Sequence, residues 1–270
     1  MNATPLPSAP RVELNRSSRL TLLLLILLAI GELLAPFLPP PVEIIHRLFH
    51  LLQMLWLIAL GFVIRHEIRH AAAVGPQLAR AQWQRVAGLL VSGALFSFVG
   101  DCINAGLIDL SSLIQPPTLL SIPLFAVAHV CYLAAFVLLS RPRLHGSSSR
   151  VLGFTLAAVP LLAIGIWSRV IPAEAPRLVI SASLAYSFVL AAMVVGSFWV
   201  ALAWGRPGAV VALGGVLFLI SDALLGYFLL RARPFVAGQL IWSTYLLGQL
   251  LILRAGLLHR VATHTQQAPS

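Results

Sequence analysis

Apolar residues run along this chain in long blocks separated by short breaks rich in Pro, Gly and Arg. Blocks of roughly the 17–25 residues needed to cross a bilayer lie at 20–38, 43–64, 86–107, 118–139, 151–168, 178–203, 209–230 and 236–258. The breaks read PPPVE, RPRLHGSSSR, RVIPAEAPR, WGRPG and RARP; they are hydrophilic or helix-breaking and suit interfacial loops. The pattern predicts an all-α, polytopic membrane protein: a bundle of eight transmembrane helices over residues 19–258. Polar tails at 1–18 and 259–270 are expected to be disordered. The first apolar run, LTLLLLILLAIGELLAPFL, is longer than the roughly 7–15 residues of a signal-peptide core and is followed by no small-x-small cleavage site. It is read as a span.

Composition sharpens this picture. Of the 270 residues 59% are hydrophobic and only 10% charged, and the mean hydropathy is +0.94, which excludes an ordinary soluble domain. The net charge of +10 raises the question of a nucleic-acid partner. All the basic side chains are arginines, however, placed singly or in pairs between apolar runs, so no continuous basic face exists and nucleic acid is not an expected partner. The arginines set topology instead. Arg47, Arg169, Arg177, Arg231 and Arg233 fall on one side of the eight-span arrangement and all the others on the opposite side. The positive-inside rule then places both termini in the cytoplasm, and in a bacterium the chain belongs in the inner membrane. Cys102 and Cys131 lie inside apolar runs without ligand spacing and read as small hydrophobes.

Few ionisable residues fall in the inner parts of the spans: Asp101 in the third, His129 in the fourth and Asp222 in the seventh. Glu32, Glu43, His46 and His50 lie near span ends, where interfacial water reaches. A carboxylate at membrane depth is costly unless it faces the bundle interior, so such residues mark a site. The bland reading is a protonated Asp hydrogen-bonded across helices. Asp101 and Asp222 stand 6 and 8 residues before the outer ends of parallel spans, so both lie about 10 Å below the boundary and can meet.

Gly93, Ser97, Gly100 and Asn104 flank the Asp101 face, and Gly215 and Gly226 share the Asp222 face. Small residues allow close packing of helices. At similar depth, Tyr245 and Gln249 form a candidate polar wall, and His129 a candidate proton relay. The segments GALFSFVGD and GVLFLISD echo one another, each closing on a small residue, Gly100 or Ser221, before its Asp.

Four stretches together, SGALFSFVGDCINAG, IPLFAVAHVCYLAAF, GGVLFLISDALLGYF and STYLLGQLLILRAGL, resemble the YhhN-like family of membrane proteins, whose characterised members are lysoplasmalogenases. The similarity covers about residues 86–258. It implies a polytopic helical enzyme that hydrolyses the vinyl ether bond of lysoplasmalogens, giving a fatty aldehyde and glycerophosphocholine or glycerophosphoethanolamine. It carries over Asp101 and Asp222 as the acidic pair, with His129, Tyr132 and Gln249 as supporting polar residues. The family's second helix starts near a Lys-Pro pair. The corresponding EIIHRLFHLLQML lacks both, leaving Arg47, His46 and Gln53 as candidates for that role. Ile122 and Pro123 replace a Gly-Leu before the histidine motif.

Two carboxyl groups suit this chemistry. Protonating the alkenyl β-carbon creates an oxocarbenium ion that water then captures, which calls for one acid and one anion, as in glycoside hydrolysis. The sequence leaves open which Asp is which. No nucleotide loop, metal-ligand motif or serine-hydrolase elbow is present, so no cofactor is expected; the expected partners are a lysophospholipid substrate and membrane lipid. An intramembrane aspartyl protease would need Gly-x-Gly-Asp, whereas Phe98-Val99-Gly100-Asp101 lacks the first glycine. A proton-coupled transporter or non-catalytic lipid-binding protein is the main rival, because carriers also bury carboxylates. Flux without chemical turnover would mark it.

Overall fold

The computed structural model describes residues 42–70, 77–108, 110, 112–113, 117–144, 148–231 and 238–267. The apolar block at 20–38, Glu32, Arg233, and the side chains of Glu43, His46 and Arg47 lie outside the described residues. The helices are α1 (Val42–His70), α2 (Gln77–Asn104), α3 (Ser121–Leu144), α4 (Ser148–Val170), α5 (Arg177–Trp204), α6 (Arg206–Leu230), α7 (Gly238–Leu253) and α8 (Leu258–Gln267). The described residues are helical without strands, and seven helical segments are long and apolar enough to cross a membrane, the last running from Gly238 to Ala262. Helices are the expected solution for such segments, because lipid offers no partners to backbone N–H and C=O groups.

Two expectations change. A disordered tail over 259–270 gives way to a helix up to Gln267, tied to α1 by an ion pair of 2.5 Å between Arg260 and Glu67. The third span ends at Asn104 rather than 107, so Asp101 lies one turn from its helix end and Asp222 more than two turns from Leu230.

Packing runs α1 to α2, α2 to α3, α3 to α5, α5 to α6 and α6 to α7, and α7 returns to α1. Six helices thus close a ring. The fourth stands outside, packed mainly on α5: its most apolar window is 6% buried against 56% for α2. Trp199 on α5 fastens it by donating to Thr155 Oγ1 at 3.1 Å. At the end of the bundle where α2 starts, Trp83 packs edge-on to Trp204, which also carries the Arg143 guanidinium 3.4 Å from its ring centroid. Such an aromatic and cationic girdle suits a membrane interface.

The link between α5 and α6 is a single residue, Gly205, at φ +61°. Only glycine takes this conformation without steric cost. The turn makes α5 and α6 a tight antiparallel hairpin. Gly208 follows, where a Cβ would lie 2.2 Å from the Val200 carbonyl oxygen.

Candidate functional site

The α5–α6 hairpin sets the first half of the site. Tyr186 is 18 residues before Trp204 and Asp222 is 16 after Arg206; at 1.5 Å per residue both stand about 24–27 Å from the turn. They meet: the Tyr186 hydroxyl donates to Oδ2 of Asp222. His129, from α3, places Nε2 3.1 Å from the same Oδ2 and 3.2 Å from the Tyr186 hydroxyl. The three polar groups form a closed triangle. His129 is fully buried.

The second half centres on Asp101. Tyr245 on α7 donates to its Oδ2 at 2.8 Å, and Asp101 is 8% exposed. Next to it, Tyr132 donates to Oε1 of Gln249 at 2.5 Å, and both residues are fully buried. Gly93 makes room for this: a Cβ there would fall 2.3 Å from the Tyr132 ring. The Gly100 position is filled in the same way by Phe125, which would lie 2.9 Å from a Cβ. The two glycines of the Asp101 face are thus seats for aromatic rings.

Phe218 divides the halves. One turn before Asp222 on α6 and fully buried, it meets the His129 ring edge-to-face at 4.8 Å and the Tyr245 ring at 5.2 Å. Such geometries favour aromatic pairs beyond their burial. The carboxyl groups keep separate hydrogen-bond partners on the two sides of this ring.

The approach of α6 and α7 depends on glycines at their contact. A Cβ on Gly248 would lie 2.9 Å from the Phe218 backbone nitrogen, and one on Gly214 would lie 3.0 Å from the Gly248 carbonyl oxygen. Gly215 faces Ser197 across the hairpin, and Gly226 faces Val170.

Of the residues singled out from sequence, Asp101, Asp222, His129, Tyr132, Tyr245 and Gln249 converge here. Gln249 bonds to Tyr132 and Tyr245 is a direct partner of Asp101, a closer involvement than a polar wall. Ser221 does not converge: its hydroxyl donates to the Ile241 carbonyl at 2.9 Å, joining α6 to α7. Asn104 ends α2 one turn beyond Asp101, and its Oδ1 is buried without a hydrogen-bond partner. The described part of α1 contributes Gln53, fully buried, which accepts from Trp242 Nε1 at 2.5 Å. Trp242 is sandwiched between His50, stacked at 4.2 Å, and Tyr245, tilted at 5.3 Å. Gln53 is thus linked to Asp101 through Trp242 and Tyr245.

Tyr186 and Phe218 carry the architecture, yet hydropathy hides both, since each reads as apolar. A signal for Tyr186 did exist. The chain has four tyrosines, and Tyr132, Tyr186 and Tyr245 all point a hydroxyl into this site.

Arg231, a candidate phosphate ligand by position, is engaged elsewhere. It donates from Nε to the Val170 carbonyl at 3.3 Å and from one terminal nitrogen to Arg169 and Ile171 at 3.0 and 3.3 Å. A cation on the last carbonyls of a helix satisfies groups that have no partner within it.

No curated protein and no solved structure matches the chain. The model of the YhhN family matches residues 45–256, a span that takes in every residue placed at the site and the six ring helices except the first three residues of α1. On the strength of that match, the chain belongs to the YhhN family.

Proposed function

We propose that this protein is a multi-pass membrane hydrolase that cleaves the vinyl ether bond of lysoplasmalogens, with Asp101 and Asp222 as its acid/base pair. The observation that carries this reading is the presence of two carboxyl groups inside one apolar helical bundle, on either side of Phe218, each with its own tyrosine donor. The same reading keeps eight spans, with both termini on the cytoplasmic side.

The chemistry balances with these groups alone. One carboxyl gives its proton to the alkenyl β-carbon, forming a C–H bond as the ether oxygen's lone pair closes the oxocarbenium ion. The other, as carboxylate, takes a proton from water while the water oxygen bonds to the cationic carbon, giving a hemiacetal. Collapse breaks the bond to the glycerol oxygen. That oxygen receives the proton just taken from water, and the hemiacetal hydroxyl proton returns to the first carboxyl. The products are a fatty aldehyde and the glycerophospho-headgroup, and both carboxyls end as they began. A preorganised anion beside a developing cation is worth most where water is excluded, and Phe218, Phe125 and the surrounding helices supply that dry wall.

The test is aldehyde release by purified protein in detergent. Asp101→Asn and Asp222→Asn are each expected to lower turnover by about 10²–10⁴-fold, the usual contribution of a positioned acid or base. Turnover near that of the unaltered protein in either variant contradicts the proposal.

A further inference from the structure

The two carboxyl groups are held differently. Oδ2 of Asp222 has two partners, the Tyr186 hydroxyl and His129 Nε2 at 3.1 Å. A single oxygen with two such partners is fully served when both donate to it, which a carboxylate allows. A neutral carboxyl with its hydrogen on Oδ1 still accepts from both, but its carbonyl oxygen is a weaker acceptor than a carboxylate oxygen. Hydrogen bonds to ionised groups are also the stronger kind.

The histidine agrees with this. Nδ1 of His129 is buried without a hydrogen-bond partner. With the hydrogen assigned to Nε2, only an acceptor goes unfilled there. The other tautomer would bury an unfilled N–H and withdraw a donor from Asp222 at once, and each unmet buried group carries a desolvation penalty.

Asp101 is served by Tyr245 alone, on Oδ2. Its Oδ1, like Oδ1 of Asp222, has no hydrogen-bond partner and keeps some accessible surface, so what separates the two carboxyls is the number of partners on Oδ2, one on Asp101 and two on Asp222. A proton on Oδ1 leaves the Tyr245 bond intact and presents the O–H to whatever enters. Keeping two carboxyl groups ionised inside one apolar interior is costly, and the one with fewer donors is the one that gains most by holding a proton.

We infer that Asp222 is the standing anion and Asp101 the carboxyl that carries the proton, and that Tyr186, together with His129, is the positioning pair that fixes this division. The inference deepens the proposed hydrolase, and rests on it in assigning chemical roles: Asp101 protonates the alkenyl carbon, and Asp222 activates water. The placement of the proton stands on the hydrogen-bond geometry. Tyr245 is then poised to stabilise the carboxylate that Asp101 becomes after giving up its proton, and Tyr186 keeps Asp222 from competing for it.

Difference infrared spectroscopy on the purified full-length protein at neutral pH tests the division without turnover. The carbonyl-stretch band of a protonated carboxylic acid is expected to disappear in Asp101→Asn and to remain in Asp222→Asn. In Tyr186→Phe that band should shift or split at unchanged total intensity, as part of the proton population moves from Asp101 to Asp222. Helical content should hold, and kcat should fall by about 10- to 100-fold, the loss of one hydrogen bond to a charged group, with little change in KM. A merely structural Tyr186 would lower the thermal midpoint while leaving the band and kcat as they are, which overturns its role. A band lost in Asp222→Asn alone, lost in both Asn variants, or absent from the unaltered protein overturns the assignment. If the infrared pattern holds while no lysoplasmalogen is cleaved, the division stands and the hydrolase reading fails.

Discussion

Tyr245 donates a 2.8 Å hydrogen bond to Oδ2 of Asp101, and its ring is fixed independently by Phe125, Phe218 and Trp242. Position and hydrogen bond can therefore be separated. Tyr245→Phe should keep the ring where it is and remove only the hydroxyl. Turnover is expected to fall by about 10-fold, in line with the roughly 1–1.5 kcal/mol that one such bond contributes, while the thermal midpoint stays close to that of the unaltered protein. Unchanged turnover would remove Tyr245 from the account.

The seat of Tyr132 is the second place to press. A Cβ at Gly93 would enter its ring at 2.3 Å, so Gly93→Ala must move either the ring or α3. Overpacking of this kind costs about 1–3 kcal/mol. Both thermal stability and aldehyde release should drop, because Tyr132 leaves Gln249. Gly153 on α4 has no atom within 4 Å of its Cβ position, and Gly153→Ala serves as the neutral control. Equal behaviour of the two variants would contradict the packing argument.

Tyr132 and Gln249 should also behave as a coupled pair. Gln249→Leu leaves the buried Tyr132 hydroxyl without its acceptor, a penalty of about 1–3 kcal/mol. Adding Tyr132→Phe removes the stranded group, so the double variant should be no less stable than Gln249→Leu alone. Thermal unfolding across the four-member cycle measures this, and strictly additive losses would argue against the bond.

Arg231 offers a choice between staple and ligand. Its bonds to three carbonyls at the end of α4 make it a staple. Arg231→Ala is expected to lower the thermal midpoint and leave KM for the lysophospholipid unchanged. A raised KM with unchanged stability would make it a phosphate ligand instead.

Much of this site was legible because the bilayer makes polar residues conspicuous. Asp101, His129 and Asp222 stand out in apolar spans for the physical reason that burying them needs partners. The partners were harder to see. Tyr186 counts among the hydrophobic residues of its span, and its pairing with Asp222 follows only from the one-residue turn at Gly205, which fixes the register of α5 against α6. Phe218 is one of 13 phenylalanines, and nothing local distinguishes it. Counting residues to a span boundary placed Asp101 and Asp222 at similar depth, yet α2 ends three residues sooner than its hydropathy, since the apolar Leu107 and Ile108 lie in the turn beyond it. Ser221 shows the converse error. Its place beside Asp222 pointed to the site, while the period of the helix turns its hydroxyl onto the α7 backbone.

The central claim is that the paired carboxyls cleave a vinyl ether. Its most direct test is a detergent-solubilised assay of the purified protein against vinyl ether, alkyl ether and ester lysophospholipids carrying the same headgroup and chain length. Only the vinyl ether has a carbon that protonation converts to an oxocarbenium ion. Stoichiometric release of fatty aldehyde from that substrate alone, lost in Asp101→Asn and in Asp222→Asn, is the predicted result. Cleavage of the ester or alkyl ether at a comparable rate, or no aldehyde from any of the three, would contradict it.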